Sequence, residues 1–80
     1  MNTDRIFRIA VNEKGFVFDP QTGESFTVND SGNVILKGLI AKKDQQTIAE
    51  DLVSQFDVAM SEAESDIRDF IHHLHLFEIL

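Results

Sequence analysis

Gly23-Glu24-Ser25-Phe26-Thr27-Val28-Asn29-Asp30-Ser31-Gly32-Asn33-Val34-Ile35-Leu36 begins as a strand and ends as a helix. In Phe26-Thr27-Val28 apolar and polar residues alternate, the period-two pattern of a half-buried strand. From Val34 the apolar residues run Val34, Ile35, Leu39 and Ile40, flanked by Leu36, which suits a helix with one wide buried face. The switch falls at Asn29, whose side-chain oxygen can accept a free amide two or three residues on and so cap the helix. Everything before this stretch reads as sheet and everything after it as helix.

Upstream, Arg5-Ile6-Phe7-Arg8-Ile9-Ala10-Val11 is expected to form a first strand, with Phe7, Ile9 and Val11 on one face and Ile6, Arg8 and Ala10 on the other. Asn12-Glu13-Lys14-Gly15 is a turn, and Phe16-Val17-Phe18 a second strand. Asp19-Pro20-Gln21-Thr22-Gly23 is the strongest turn signal in the chain, because Pro20 pre-sets φ and Gly23 tolerates the left-handed region. It joins the second strand to Glu24–Val28 as a hairpin. A sheet this small needs helices packed on it.

Downstream, the first helix is predicted from about Asp30 to Ala41, with Gly32 and Gly38 inside it, each costing about 1 kcal/mol relative to alanine. A glycine near a helix start often marks close approach of another backbone. Lys42 and Lys43 follow, where positive charge suits the helix dipole. Asp44 is expected to cap a second helix whose apolar face is Ile48, Leu52, Val53 and Phe56. Ser61-Glu62-Ala63-Glu64 reads as a capping box opening a third helix, which presents Ala63, Ile67, Phe70, Ile71 and Leu74 on one face. Phe77, Ile79 and Leu80 extend it as an apolar tail. Strands followed by helices indicate an α+β domain, here a small three-stranded antiparallel sheet and a trihelical core.

Eighty residues suit one small domain, with a net stability on the order of 5 kcal/mol. Without cysteine, disulfides and thiolate metal sites are excluded, which fits a reducing compartment. Fourteen acidic against seven basic residues, a net charge of −7, argue against non-specific nucleic-acid binding and against an anionic membrane surface. The N-terminus lacks the apolar core of a signal peptide, and no apolar run approaches a membrane span, so the expected location is cytoplasmic.

The one chemically suggestive cluster is His72-His73-Leu74-His75. His72 and His75 share a helical face and, with Asp69, have the residue types of a metal site, but a solvated histidine face stabilised by the dipole at a helix C-terminus is the preferred reading. Asp66 with Asp69 and Glu62 with Glu64 pair as acid–base catalysts do, yet carboxylates in the first half of a helix are favoured by the dipole alone. No hydroxyl sits in an activating motif, and Gly15, Gly23, Gly32 and Gly38 form no phosphate loop. No residue is therefore assigned to catalysis, a metal or a cofactor. Lys42, Lys43 and Arg68 are too little positive charge for a DNA-reading face. What remains is the backbone: if Glu24–Val28 is an edge strand, an extended peptide can add to it.

Taken in order, several pieces carry a resemblance: Phe18-Asp19-Pro20-Gln21-Thr22-Gly23-Glu24, Val28-Asn29 leading into Asp30-Ser31-Gly32-Asn33-Val34-Ile35-Leu36, and Thr47-Ile48-Ala49-Glu50-Asp51-Leu52. Phe56-Asp57-Val58 and Asp66-Ile67-Arg68-Asp69-Phe70-Ile71-His72-His73-Leu74 with Ile79-Leu80 complete the series. From about Phe16 to Leu80 the chain resembles the PqqD family, small domains also called RiPP precursor peptide recognition elements. The resemblance implies a winged-helix-like fold that binds the leader of a ribosomally made precursor peptide. It further implies presentation of that peptide to a modifying enzyme, often a radical S-adenosylmethionine protein, as in pyrroloquinoline quinone biosynthesis, without catalysis of its own. The implied leader site is Glu24, Ser25, Phe26, Thr27 and Val28 on the third strand with Asp66, Ile67, Phe70, Ile71 and Leu74 on the third helix. Many relatives have a helix-stopping glycine where this chain has Glu78, and the three histidines are not a family feature. The alternative reading, a winged-helix DNA-binding or transcription-associated domain, requires salt-dependent DNA binding, against which the acid excess speaks.

Overall fold

The structure, a computed structural model, describes residues 3–77, with side chains from residue 6 onward. A 3-10 helix, Thr3–Arg8, precedes strands β1 (Ala10–Val11), β2 (Phe16–Asp19) and β3 (Glu24–Thr27). Helices α1 (Asp30–Ile40), α2 (Gln45–Phe56) and α3 (Met60–Leu76) follow. The α+β order expected from the sequence holds: a three-stranded antiparallel sheet, then three helices. The predicted tail residues Ile79 and Leu80, and Glu78 at the expected helix stop, lie outside the described residues.

The first strand is corrected. Ile6 and Ile9, 2% and 5% exposed, enter the core together, while Phe7 is 41% exposed. Their spacing of three matches a 3-10 turn, in which residues i and i+3 eclipse, and the Ile9 N–H donates to the Ile6 carbonyl at 3.3 Å. The alternation through Phe7, Ile9 and Val11 therefore does not govern this segment, and only Ala10–Val11 remains as strand.

The sheet order is β1-β2-β3, so β2 is central. Ala10 pairs with Phe18, and Phe16, Val17, Phe18 and Asp19 pair with Thr27, Phe26, Ser25 and Glu24. β2 buries Val17 and Asp19 and exposes Phe16 and Phe18. Its inner face meets Ile6, Ile9, Leu36 and Leu74 in one buried cluster. A second cluster of Ile35, Ile48, Ala49, Leu52, Ala63 and Ile67 fills the space among the helices. Phe70 and Leu39 pack against both and join them.

The helix ends follow local chemistry. Asn29 Oδ1 accepts from the Gly32 N–H at 2.8 Å, and Asp44 Oδ1 from the Thr47 N–H at 2.8 Å. The capping box at Ser61 and Glu64 does not form. α3 begins two residues earlier, at Met60, with Ala59 in the cap position and no side-chain cap bond. Val58 and Met60 pack against the second cluster, so apolar burial rather than a cap sets the start of α3. Gly38 is where α1 meets α2: an added Cβ would lie 2.7 Å from Ile48 Cγ1.

Candidate peptide-binding edge

The hydrogen-bonding direction of each strand residue follows from two bonds at the sheet's ends. The Asn12 N–H donates to the Phe16 carbonyl at 3.1 Å, and the Val28 N–H to the Gly15 carbonyl at 2.9 Å. In an antiparallel pair, hydrogen-bonded and non-hydrogen-bonded residues alternate. Phe16 and Phe18 therefore direct their main-chain groups to β1, and Gly15, Val17 and Asp19 theirs to β3. On β3, Glu24, Phe26 and Val28 face β2, while the main-chain groups of Ser25 and Thr27 point out of the sheet. Among the described residues no strand pairs with that outer edge. The expected edge strand is thus present. It ends at Thr27 rather than Val28, because Val28 is held by the Gly15 turn.

Beside this edge runs one flank of α3. Phe26, half-buried on the inner face of β3, stacks on Phe77 with ring centroids 6.5 Å apart and planes 24° apart. Phe70 lies against the start of α1, where its Cε2 would be 3.1 Å from a Cβ added at Gly32 and where Val28 also approaches. Gly32 is thus closely approached, but by side chains rather than by the backbone expected of a glycine at this helix start. A cleft of about 160 Å³ opens between the start of α1 and α3, one residue beyond Val28, bounded by Asn29, Gly32, Asp66, Asp69, Phe70 and His73. The larger hollow of about 600 Å³ opens elsewhere, between α1 and α2 beside Lys37 and Gln55, and shares no residue with β3.

The anticipated residues divide by position. Glu24, Ser25, Phe26 and Thr27 form the edge strand, and Val28 its junction with α1. Asp66 and Phe70 line the cleft between α1 and α3. Ile67 and Leu74, 1% and 3% exposed, are core side chains beneath it. Ile71 packs with the helical cluster. His73 and Phe77 were not anticipated as groove residues. The signal was the spacing Asp66, Phe70, His73, Phe77, which places all four on one helical flank next to the core stripe. His72 and His75 are exposed on α3. Among the described residues no group of three or more histidines and carboxylates has the geometry to hold a metal ion.

Residues 14–76 match the family described as coenzyme PQQ synthesis protein D, PqqD. A search of curated proteins returns no match. Two solved structures are similar. One, described as TbiB1 in complex with the TbiA(beta) leader peptide, aligns with a TM-score of 0.76 at 26% identity, over 90% of this chain and 85% of that one. The other, a lasso peptide synthetase B1 complexed with the leader peptide, aligns with a TM-score of 0.69 at 25% identity, over 85% of this chain and 84% of that one.

Proposed function

Because the chain belongs to the PqqD family, we propose that it is a recognition module for the leader of a ribosomally made precursor peptide. Domains of this type are generally non-catalytic, and in this reading the chain is a peptide chaperone that delivers its guest to a separate modifying enzyme. It works in the cytoplasm, where such precursors are made; among the described residues no helix is long and apolar enough to cross a membrane.

One observation carries the reading: Ser25 and Thr27 direct their main-chain N–H and C=O groups out of an edge that no strand among the described residues pairs with, alongside an apolar wall. A peptide added there gains ladder hydrogen bonds from Ser25 and Thr27 and buries a side chain between Phe26, Phe70 and Phe77. The proposed contact set is Glu24 to Val28 with Asp66 and Phe70, extended by His73 and Phe77. Ile67 and Leu74 support the wall from below, and Ile71 from the α2 side. The winged-helix DNA-binding alternative is not favoured, since a net charge of −7 repels phosphates.

A selection experiment tests this without the leader in hand. A displayed library of random peptides of roughly a dozen residues is selected against the full chain, and an enriched peptide is titrated into isotope-labelled protein. Amide shifts concentrated at Ser25, Thr27 and the flank from Asp66 to Phe77 are expected. Shifts confined to the hollow between α1 and α2 would refute the assignment.

A further inference from the structure

We propose that the added peptide is read on both faces, its outward side chains covering Phe16 and Phe18 on the side of the sheet away from the helices. The inference rests on strand addition at β3 and specifies the peptide that fits.

Side chains alternate across a strand, and neighbours on adjacent strands point to the same face. Phe18 pairs with Ser25 and Phe16 with Thr27, so these four share the outer face. A guest residue beside Phe26 points inward to the aromatic wall. The two residues flanking it, beside Ser25 and Thr27, point outward. This alternation holds whether the guest runs parallel or antiparallel. The guest strand lies about 10 Å from β2, two strand spacings away. Ser25 and Thr27 are small, so a large guest side chain can lean over them and meet the phenylalanine rings beyond.

Phe16 is 58% exposed and Phe18 45%. With an aromatic side chain offering about 150–250 Å², the two rings leave roughly 200 Å² of apolar surface open. A stable protein–protein interface buries about 800 Å² on each partner. The stripe is too small to hold a second copy or a globular partner by itself. It matches the outward side chains of one short strand, and it adjoins the edge that such a strand occupies. The guest is therefore a segment with three consecutive large apolar residues, the middle one turned inward and its neighbours outward.

The probe is the best peptide selected on the wild-type chain. Alanine is placed at each of its positions, and each version is measured by fluorescence anisotropy on the wild-type protein and on Phe16→Thr/Phe18→Thr. Threonine keeps the β-propensity of the strand, and both rings lie outside the core; an amide spectrum confirms the fold, with Phe18→Thr alone as the milder variant. On the wild type, three adjacent positions should be sensitive. On the double variant the unmodified peptide should bind on the order of tenfold more weakly. The two outer positions should then lose their effect to within about twofold, while the central one keeps it. Outer positions that are silent on the wild type, or equally sensitive on both proteins, overturn the proposal. So does a wild-type dimer in sedimentation that the double variant dissolves, which would assign the stripe to self-association. If no selected peptide shifts the Ser25 and Thr27 amides, strand addition itself fails and this inference falls with it.

Discussion

Thr27→Pro separates the open edge from the fold beneath it. The Thr27 N–H points away from β2, and among the described residues it has no partner. Proline is tolerated on an edge strand whose N–H faces outward, so stability in urea should change by no more than about 1 kcal/mol. A bound peptide loses more. One main-chain hydrogen bond is worth about 1 kcal/mol net, and leaving the guest carbonyl buried without a donor adds about 1–3 kcal/mol. Together these give about 2–4 kcal/mol, or a roughly 30- to 1,000-fold rise in Kd. The assay is anisotropy with a selected peptide, paired with urea unfolding of the same samples. Phe26→Pro is the opposing control: it removes an N–H directed at β2 and a half-buried ring, and should cost most of the stability. If Thr27→Pro stays folded and binds within about twofold of the wild type, the strand-addition reasoning is wrong.

Three further outcomes test the frame that holds the edge. Gly38→Ala should lower the urea midpoint, because overpacking against the fully buried Ile48 costs about 1–3 kcal/mol and outweighs the roughly 1 kcal/mol gain in helix propensity; a raised midpoint would show that Ile48 yields. Asn33→Ala should destabilise by about 1–3 kcal/mol, since the Asn33 Nδ2 donates to the Asn12 and Glu13 carbonyls at 3.2 Å each and ties the first turn to α1. The Thr47 N–H holds the Asp44 carboxyl below its ordinary pKa of 3.8. A carboxylate with a lowered folded pKa adds stability that is present above the unfolded value and lost as pH falls through the folded one. Asp44→Asn, which keeps a capping oxygen, should therefore lose less stability than the wild type between neutral pH and about pH 3, compared by urea unfolding.

Much of this fold was legible because local chemistry and burial agree. Asn29 and Asp44 cap as their side chains dictate, and the turn at Pro20 and Gly23 sets the β2–β3 register. The reading failed where two patterns overlapped. In Arg5–Val11 the same residues fit a period of two and a spacing of three, and only the core pocket that takes Ile6 and Ile9 together decides between them. At Ser61 a sound capping motif lost to the burial of Met60 and Val58. The proposed site was half legible for a related reason. A helix that walls a groove has a buried stripe and a working flank, and the apolar pattern reveals only the stripe. Ile67 and Leu74 belong to the stripe; His73 and Phe77, beside Asp66 and Phe70, belong to the flank.

An exposed edge strand usually invites aggregation, so its shape here needs a physical account. β3 is four residues long, and its outer side offers the main chain of only Ser25 and Thr27, next to the charge of Glu24. Two rungs at about 1 kcal/mol net per hydrogen bond are too few to hold an arbitrary strand against the entropy of ordering it. Side chains must supply the rest, and only a guest that places a large apolar residue against Phe26, Phe70 and Phe77 obtains it. In the proposed mode, the ladder fixes where a peptide lies, and the wall decides which peptide stays. The same reasoning explains why, among the described residues, the N-terminal segment does not pair with the β3 edge. Ile6 and Ile9 gain more from a 3-10 turn that seats both in the core, with β1 held to two residues on the far side of β2.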